Sequence, residues 1–283
     1  MAKTIGIEME GWGLTYQEAT DAILNVLGGA SLTRVTNTHE VARYEQREGV
    51  KVTVINNGHT SMGPTFWNGY TWQVMYDGSL NQPNSFEIVS PVLKGKEGEK
   101  QARKVIKALD KAGAKTHIEA GLHITLGTAN SRWQRMGVKK TIETLHTLQQ
   151  SYSYFQEAIG SILAPSRRRD GNAWAHIMNR DIDEIEYCLT SSQFSKYEAV
   201  NLKKFATLGC IEYRQHQSTF NADKILNWIR MLHKFQTSAV NEENTHRDMN
   251  MYEPDSIQSL MSYLGMPSAS SRYFGQRALQ LRR

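Results

Sequence analysis

The chain has 283 residues, enough for one large domain or two small ones, and its 40% hydrophobic content excludes a disordered protein. A formal charge of +5 makes it mildly basic, with the surplus gathered in "SRRRD" (166–170) and after the last acid, Asp255, where Arg272, Arg277, Arg282 and Arg283 stand. Two cysteines, Cys188 and Cys210, form neither a disulfide framework nor a metal motif, and no signal peptide or membrane span is visible, so a soluble, cytoplasmic protein is expected.

Residues 3–10, inside "KTIGIEMEGWG", alternate apolar and polar and predict a strand. "TYQEATDAILNVLGG" (15–29) predicts a helix with Thr15 as its cap and Gly28–Gly29 as its stop. Strand-like pieces follow near 33–38 and 50–56, and 57–71, rich in Gly, Asn and aromatics, reads as a long loop. "YTWQVMYDGSL" (70–80) and "SFEIVSPVL" (85–93) read as two strands joined by a turn at Pro83 and Asn84. "KEGEKQARKVIKALDKAGA" (96–114) predicts a helix ending at Gly113, and "THIEAGLHITLG" (116–127) a strand. One long amphipathic helix is expected over 138–163, with Ile142, Leu145, Leu148, Tyr152, Phe155, Ile159 and Ile162 on its apolar stripe and Pro165 beyond its end. Next come a helix near 178–189, the strand "GCIEYRQHQS" (209–218), a helix over 221–235 capped by Asn221, a shorter helix near 254–264, and a basic tail. Strands separated by turns, with helices coming singly and late, predict an α+β fold with a largely antiparallel sheet. Neither the dinucleotide-binding nor the P-loop glycine spacing is present.

Residues two apart in a strand share a face. Glu8 and Glu10 oppose Ile5, Ile7 and Met9; His123 and Thr125 oppose Leu122, Ile124 and Leu126. Glu212, Arg214 and His216 oppose Ile211 and Tyr213, Glu87 lies between Phe86 and Ile88, and Asp77 opposes Tyr76. A half-solvated antiparallel sheet has a polar outer face in any case. Such a face usually mixes Lys, Ser, Thr and Glu, whereas this set is mostly carboxylates and holds no lysine. Carboxylates crowded on adjoining strands need protons or cations, and an all-oxygen cluster suits Mg²⁺ or Mn²⁺. Divalent metal beside Arg and His describes a phosphoryl-handling site.

These residues resemble the amidoligases of the glutamine synthetase-like superfamily, the carboxylate–amine ligases that include glutamate–cysteine ligase. The pieces that carry the resemblance come in order: "GIEME" (6–10), "DGSL" (77–80), "FEIVSPVLKG" (86–95), "GA" (113–114), "GLHIT" (121–125), "PSRRRDGNAW" (165–174), "KYEAVNL" (196–202) and "CIEYRQHQSTFNADKILNWI" (210–229). The resemblance implies a single domain over 1–265, a basic tail over 266–283, and a curved sheet with helices on its convex side and ATP with Mg²⁺ on its concave face. It implies Glu8, Glu10, Asp77, Glu87 and Glu212 as metal ligands. His123 and Arg214 would meet phosphate or the substrate carboxylate, and Arg167, Arg168 and Asn172 would lie over the nucleotide or acyl phosphate. Tyr197 and Asn201 match structural positions. Thr125 stands where relatives often carry a second histidine, and Cys210 where they often carry threonine.

The implied reaction is ATP-dependent amide or isopeptide formation through an acyl phosphate, joining a carboxylate to the amine of an amino acid, peptide or protein. Many relatives look phage-borne, and ring assembly occurs in the superfamily. Two rival readings stand beside it: a phosphotransferase to nitrogen on the same fold, and an inactive relative that binds nucleotide or nucleic acid through the basic tail.

Overall fold

The period-two pattern of the first predicted strand becomes β1, Thr4–Gly11, whose residues alternate between half-buried and buried along its whole length. In the structure, a computed structural model, residues 3–27, 41–45, 51–55, 72–76, 79–128, 132–168, 174–191, 193–241 and 248–281 are described. The chain divides into two compact units, one of residues 2–124 and 218–226, the other of residues 125–217 and 227–283.

In the first unit β1 is followed by α1 (Tyr16–Leu27), β2 (Val41–Glu45), β3 (Lys51–Ile55), β4 (Trp72–Tyr76), β5 (Phe86–Val89), β6 (Leu93–Lys94), α2 (Gly95–Ala112) and the start of β7 (Gly121–Gly127). The strand order is β2-β3-β4-β5-β1-β7, with β6 also on β1. Pairing is antiparallel for β2·β3, β4·β5, β1·β5 and β1·β6, and parallel for β3·β4. The fold is therefore α+β with a largely antiparallel sheet. Ile5, Ile7 and Met9 are buried, as are Ile23 and Leu24 of α1 and Val105, Ile106 and Leu109 of α2. The two helices pack on each other, α1 also meeting β3 and β4, and α2 meeting β6.

Thr15 caps α1 as expected: its Oγ1 accepts from Glu18 N–H while Glu18 Oε2 accepts from Thr15 N–H, a reciprocal capping box. Gly113 ends α2 at φ 102°, a left-handed conformation that glycine adopts without steric cost. Strand β7 begins at Gly121, later than the predicted 116, because Ala120 N–H turns back to His117 O. The predicted strand over 33–38 lies outside the described residues, and β2 was not anticipated.

The second unit holds the end of β7, then α3 (Val138–Tyr154), α4 (Gln156–Gly160), α5 (Ile182–Ser191), β8 (Val200–Asn201), α6 (Lys203–Leu208), β9 (Cys210–Gln217), most of α7 (Ala222–Val240), α8 (Ile257–Tyr263) and α9 (Ser268–Leu281). Its strand order is β7-β9-β8. The single helix expected over 138–163 is two helices broken at Phe155, φ −90° and ψ 20°. Ala158 N–H donates to Pro254 O at 3.2 Å, so a distant segment takes a bond that a continuous helix would make internally. Helix α5 starts at Ile182, later than the predicted 178, behind Asp181, whose Oδ1 accepts from Glu184 N–H. Asn221 caps α7 through Lys224 N–H. Residues 268–281, read from sequence as part of a basic tail, form a helix with Ser270, Phe274 and Ala278 buried at a spacing of four. No described helix is long and apolar enough to cross a membrane.

Candidate active site

The acidic face of the first unit is built by strand register. Glu10 on β1 stands directly opposite Glu87 on β5, and Glu8 opposite Val89. Directly paired residues in an antiparallel ladder point to the same side, with Cβ atoms about 4.5–5.5 Å apart, and like charges there repel. Strand β7 lies on the other side of β1 and supplies the partial compensation. Gly121 N–H donates to Glu10 Oε2 at 2.6 Å. His123 Nδ1 lies 3.2 Å from Glu8 Oε2, and its Nε2 lies 3.9 Å from Glu10 Oε1. The glutamate side chains retain only 22% (Glu8) and 15% (Glu10) of their exposure, so water screens them weakly.

Gly121 leaves little room for a side chain on β7. A Cβ there would meet His123 Nε2 at 3.0 Å and both Glu10 carboxylate oxygens at 3.5 Å. Beneath the cluster, the Ser218 hydroxyl donates to the Glu10 backbone carbonyl, and Phe220 packs against Gly11 and Phe86. Three carboxylates, those of Glu8, Glu10 and Glu87, and one imidazole gather on this face. This donor set, mostly carboxylate oxygens with one imidazole, fits a hard divalent cation.

The second unit carries its own charged cluster around Glu212 on β9. The side chain is 1% exposed. Its Oε1 accepts from Lys204 Nζ at 2.6 Å; its Oε2 accepts from Asn201 Nδ2 at 2.5 Å and Arg214 Nη1 at 3.3 Å. Register explains the Asn201 contact, since it pairs with Glu212 across β8 and β9. Asn201 Oδ1 also accepts from Lys203 N–H at the start of α6, which carries Lys204. On β9 the intervening residues Tyr213 and Gln215 are buried: Tyr152 donates to Gln215 Oε1 at 2.9 Å, and Gln215 donates to Gln156 Oε1 at 2.8 Å. Burial pushes the Tyr152 and Tyr213 hydroxyls above the usual tyrosine range.

The remaining residues singled out from sequence are distributed as follows. Thr125, on the same face of β7 as His123, has a buried hydroxyl with no hydrogen-bond partner among the described residues. Arg167 lies in a short 3₁₀ turn against β9 and is buried; its carbonyl accepts from Gln215. Arg168 Nη2 donates to Leu281 O, at the end of α9, at 3.4 Å. His216 packs on Trp228. The exposed Tyr197 ring lies edge-on to Trp174. Asp77 and Asn172 fall outside the described residues.

Sequence reasoning gave Lys204 no role and missed Glu198 and Arg180. Glu198, inside "KYEAVNL", forms a buried bidentate pair with Arg180 at 2.7 and 2.8 Å and accepts from Ser195 N–H. Burial alone would lower the Arg180 guanidinium, but the Glu198 carboxylate outweighs it and holds the group above its ordinary value. Strand periodicity carries no signal for these residues, which lie outside the regular strands. For Lys204, its closeness to "KYEAVNL" and "CIEYR" is the only hint in the sequence.

Both clusters fall inside a single family match. The model described as "Putative amidoligase enzyme" matches residues 2–236, and the chain belongs to this amidoligase family. A search of curated proteins returns no match.

Proposed function

We propose that the protein is an ATP-dependent carboxylate–amine ligase of the glutamine synthetase-like type, forming an amide or isopeptide bond and releasing ADP. The observation that carries this reading is the register placing Glu10 opposite Glu87, beside Glu8 and His123, in a member of the amidoligase family. Glu8, Glu10 and Glu87 would hold Mg²⁺ or Mn²⁺, with Asp77 and Glu212 as further ligands. The metal, when bound, would supply charge neutralisation for the nucleotide phosphates.

The reaction requires two anions, the substrate carboxylate and the triphosphate, to meet. Arg214 would orient one of them through its planar donors, and His123 would donate to a phosphate oxygen. Arg167 and Arg168 would assist at the acyl phosphate, with Asn172 on the nucleotide. The carboxylate oxygen attacks the γ-phosphorus, the bond to ADP breaks, and an amine then displaces phosphate from the acyl carbon. Catalysis on this reading is positioning and electrostatic stabilisation. The carboxylate donor and the amine would be an amino acid, a peptide or a protein side chain.

The test needs neither substrate. Thermal stability is measured with ADP or a non-hydrolysable ATP analogue, in Mg²⁺ and in EDTA, for wild type and Glu10→Gln. At a hundredfold excess over Kd the nucleotide should add about 2.7 kcal/mol. A Mg²⁺-dependent shift that Glu10→Gln loses is expected. A wild-type protein indifferent to saturating nucleotide would overturn the reading.

A further inference from the structure

We propose that the outward face of α2 is a docking surface for the phosphate backbone of duplex DNA, held without regard to base sequence. The inference is independent of the ligase reading. Residues 94–115 hold seven lysines and one arginine against three acids, a net +5 that equals the formal charge of the whole chain. The rest of the chain, "SRRRD" and the tail arginines included, is balanced. At about 100° per residue, Lys96, Lys100, Arg103, Lys104, Lys107 and Lys111 fall within an arc of about 100°. The opposite side of the helix is the buried one, carrying Gly98, Ala102, Val105, Ile106 and Leu109. Lys96, Lys100, Lys104, Lys107 and Lys111 are all exposed. Arg103 bonds Asp223 at 2.6 Å, and Lys100 lies 4.0 Å from the exposed Glu97. No ion pair among the described residues engages Lys96, Lys104, Lys107 or Lys111.

A helix face that serves only for solvation gains from alternating charge, with a glutamate four residues before a lysine. Here Lys96 and Lys100, Lys100 and Lys104, Arg103 and Lys107, and Lys107 and Lys111 are like-charged neighbours one turn apart, and each pair works against the helix. A polyanion laid along the face turns that repulsion into attraction. The row from Lys96 to Lys111 is about 22 Å long, with a lysine about every 4.5–6 Å. Lysine is a compact charge on a flexible stem, suited to phosphate contacts that carry no base reading. Helix α2 contains no aromatic residue on which single-stranded bases could stack. Its valine, isoleucine and leucine side chains are buried, so none is offered to a bilayer or to the core of a protein interface. The major groove of B-form DNA admits a helix, whereas that of A-form RNA is too narrow, so the partner is DNA.

The experiment is fluorescence anisotropy of a labelled, mixed-sequence DNA duplex about two helical turns long, titrated with the full-length protein between about 50 and 200 mM salt. With four or five phosphates contacted, the logarithm of affinity should fall against that of salt with a slope of about −4, a loss of about two-hundredfold across that range. Replacing Lys100, Lys104 and Lys107 together by Gln should flatten the slope by about 3 and weaken binding more than about tenfold at the lowest salt. The same three changed to Arg, which keeps the charge, should bind as wild type. Should the triple Gln variant fail to fold, Lys104→Gln alone should still flatten the slope by about 1. Arg272→Gln with Arg277→Gln, on α9, should leave affinity and slope unchanged. Absence of duplex binding by wild type at the lowest salt would overturn the proposal. So would a wild-type slope in the triple Gln variant, or loss of binding in the α9 variant alone. Tighter binding to a single strand, to an RNA duplex, or to vesicles of phosphatidylserine and phosphatidylcholine in equal parts would overturn the choice of partner.

Discussion

Gly121 shows how a residue without a side chain can define a site. Its N–H reaches Glu10 because nothing projects from its Cα toward the carboxylate or the His123 ring. Gly121→Ala should push His123 away and cost about 1–3 kcal/mol as an overpacked contact. It should also weaken the Mg²⁺-dependent nucleotide shift. Thermal melting with and without Mg²⁺ and ADP reads both, and a variant that melts and binds like wild type would contradict this account. Glu8, Glu10, Glu87 and His123 were legible as a set because two-residue alternation is a local property of a strand. Their mutual distances were not, since these depend on which strands adjoin. Lys204 and Asn201 were harder still, because neither lies in a stretch long enough to show alternation and Lys204 approaches Glu212 from a helix.

At the scale of elements, local chemistry set the ends of α1 and α2. The Thr15–Glu18 box satisfies two N–H groups that the helix start would otherwise leave open. Thr15→Ala should cost about 1 kcal/mol, measured by urea unfolding at neutral pH. The bond from the Thr15 backbone N–H, then that from its hydroxyl, holds the Glu18 carboxyl below its ordinary value of 4.5. A depressed carboxyl contributes stability that is present above its unfolded value and lost as pH falls through its folded one. The gap between wild type and Thr15→Ala should therefore narrow below about pH 4.5, and a gap constant through that window would rule out the bond from the Thr15 hydroxyl to the Glu18 carboxylate. The interruption at Phe155 had no local signal: no glycine or proline marks it, and the competing acceptor is Pro254, far along the chain. Helix α9 was missed for a different reason. Its buried stripe includes Ser270 and Ala278, too small and polar to stand out beside the arginines.

At the scale of the molecule, the chain does not build its units in order. Residues 218–226 belong with the N-terminal unit, and Ser218 and Phe220 return to β1 across most of the sequence. Phe220 is 4% exposed and its ring lies 6.1 Å from that of Phe86. Phe220→Ala should destabilise the protein by about 3–5 kcal/mol in chemical denaturation. A loss below about 1 kcal/mol would mean that this returning segment does not hold β1. By itself the sequence determined the α+β class, the apolar and acidic faces of the strands, several helix ends and the family, because these rest on short-range periodicity, capping residues and ordered motifs. Tertiary structure alone decided that Glu10 faces Glu87, that His123 serves two carboxylates, that Lys204 meets Glu212 and that one long helix is two. Each of these depends on register or on contacts between residues distant along the chain, and no local pattern encodes them.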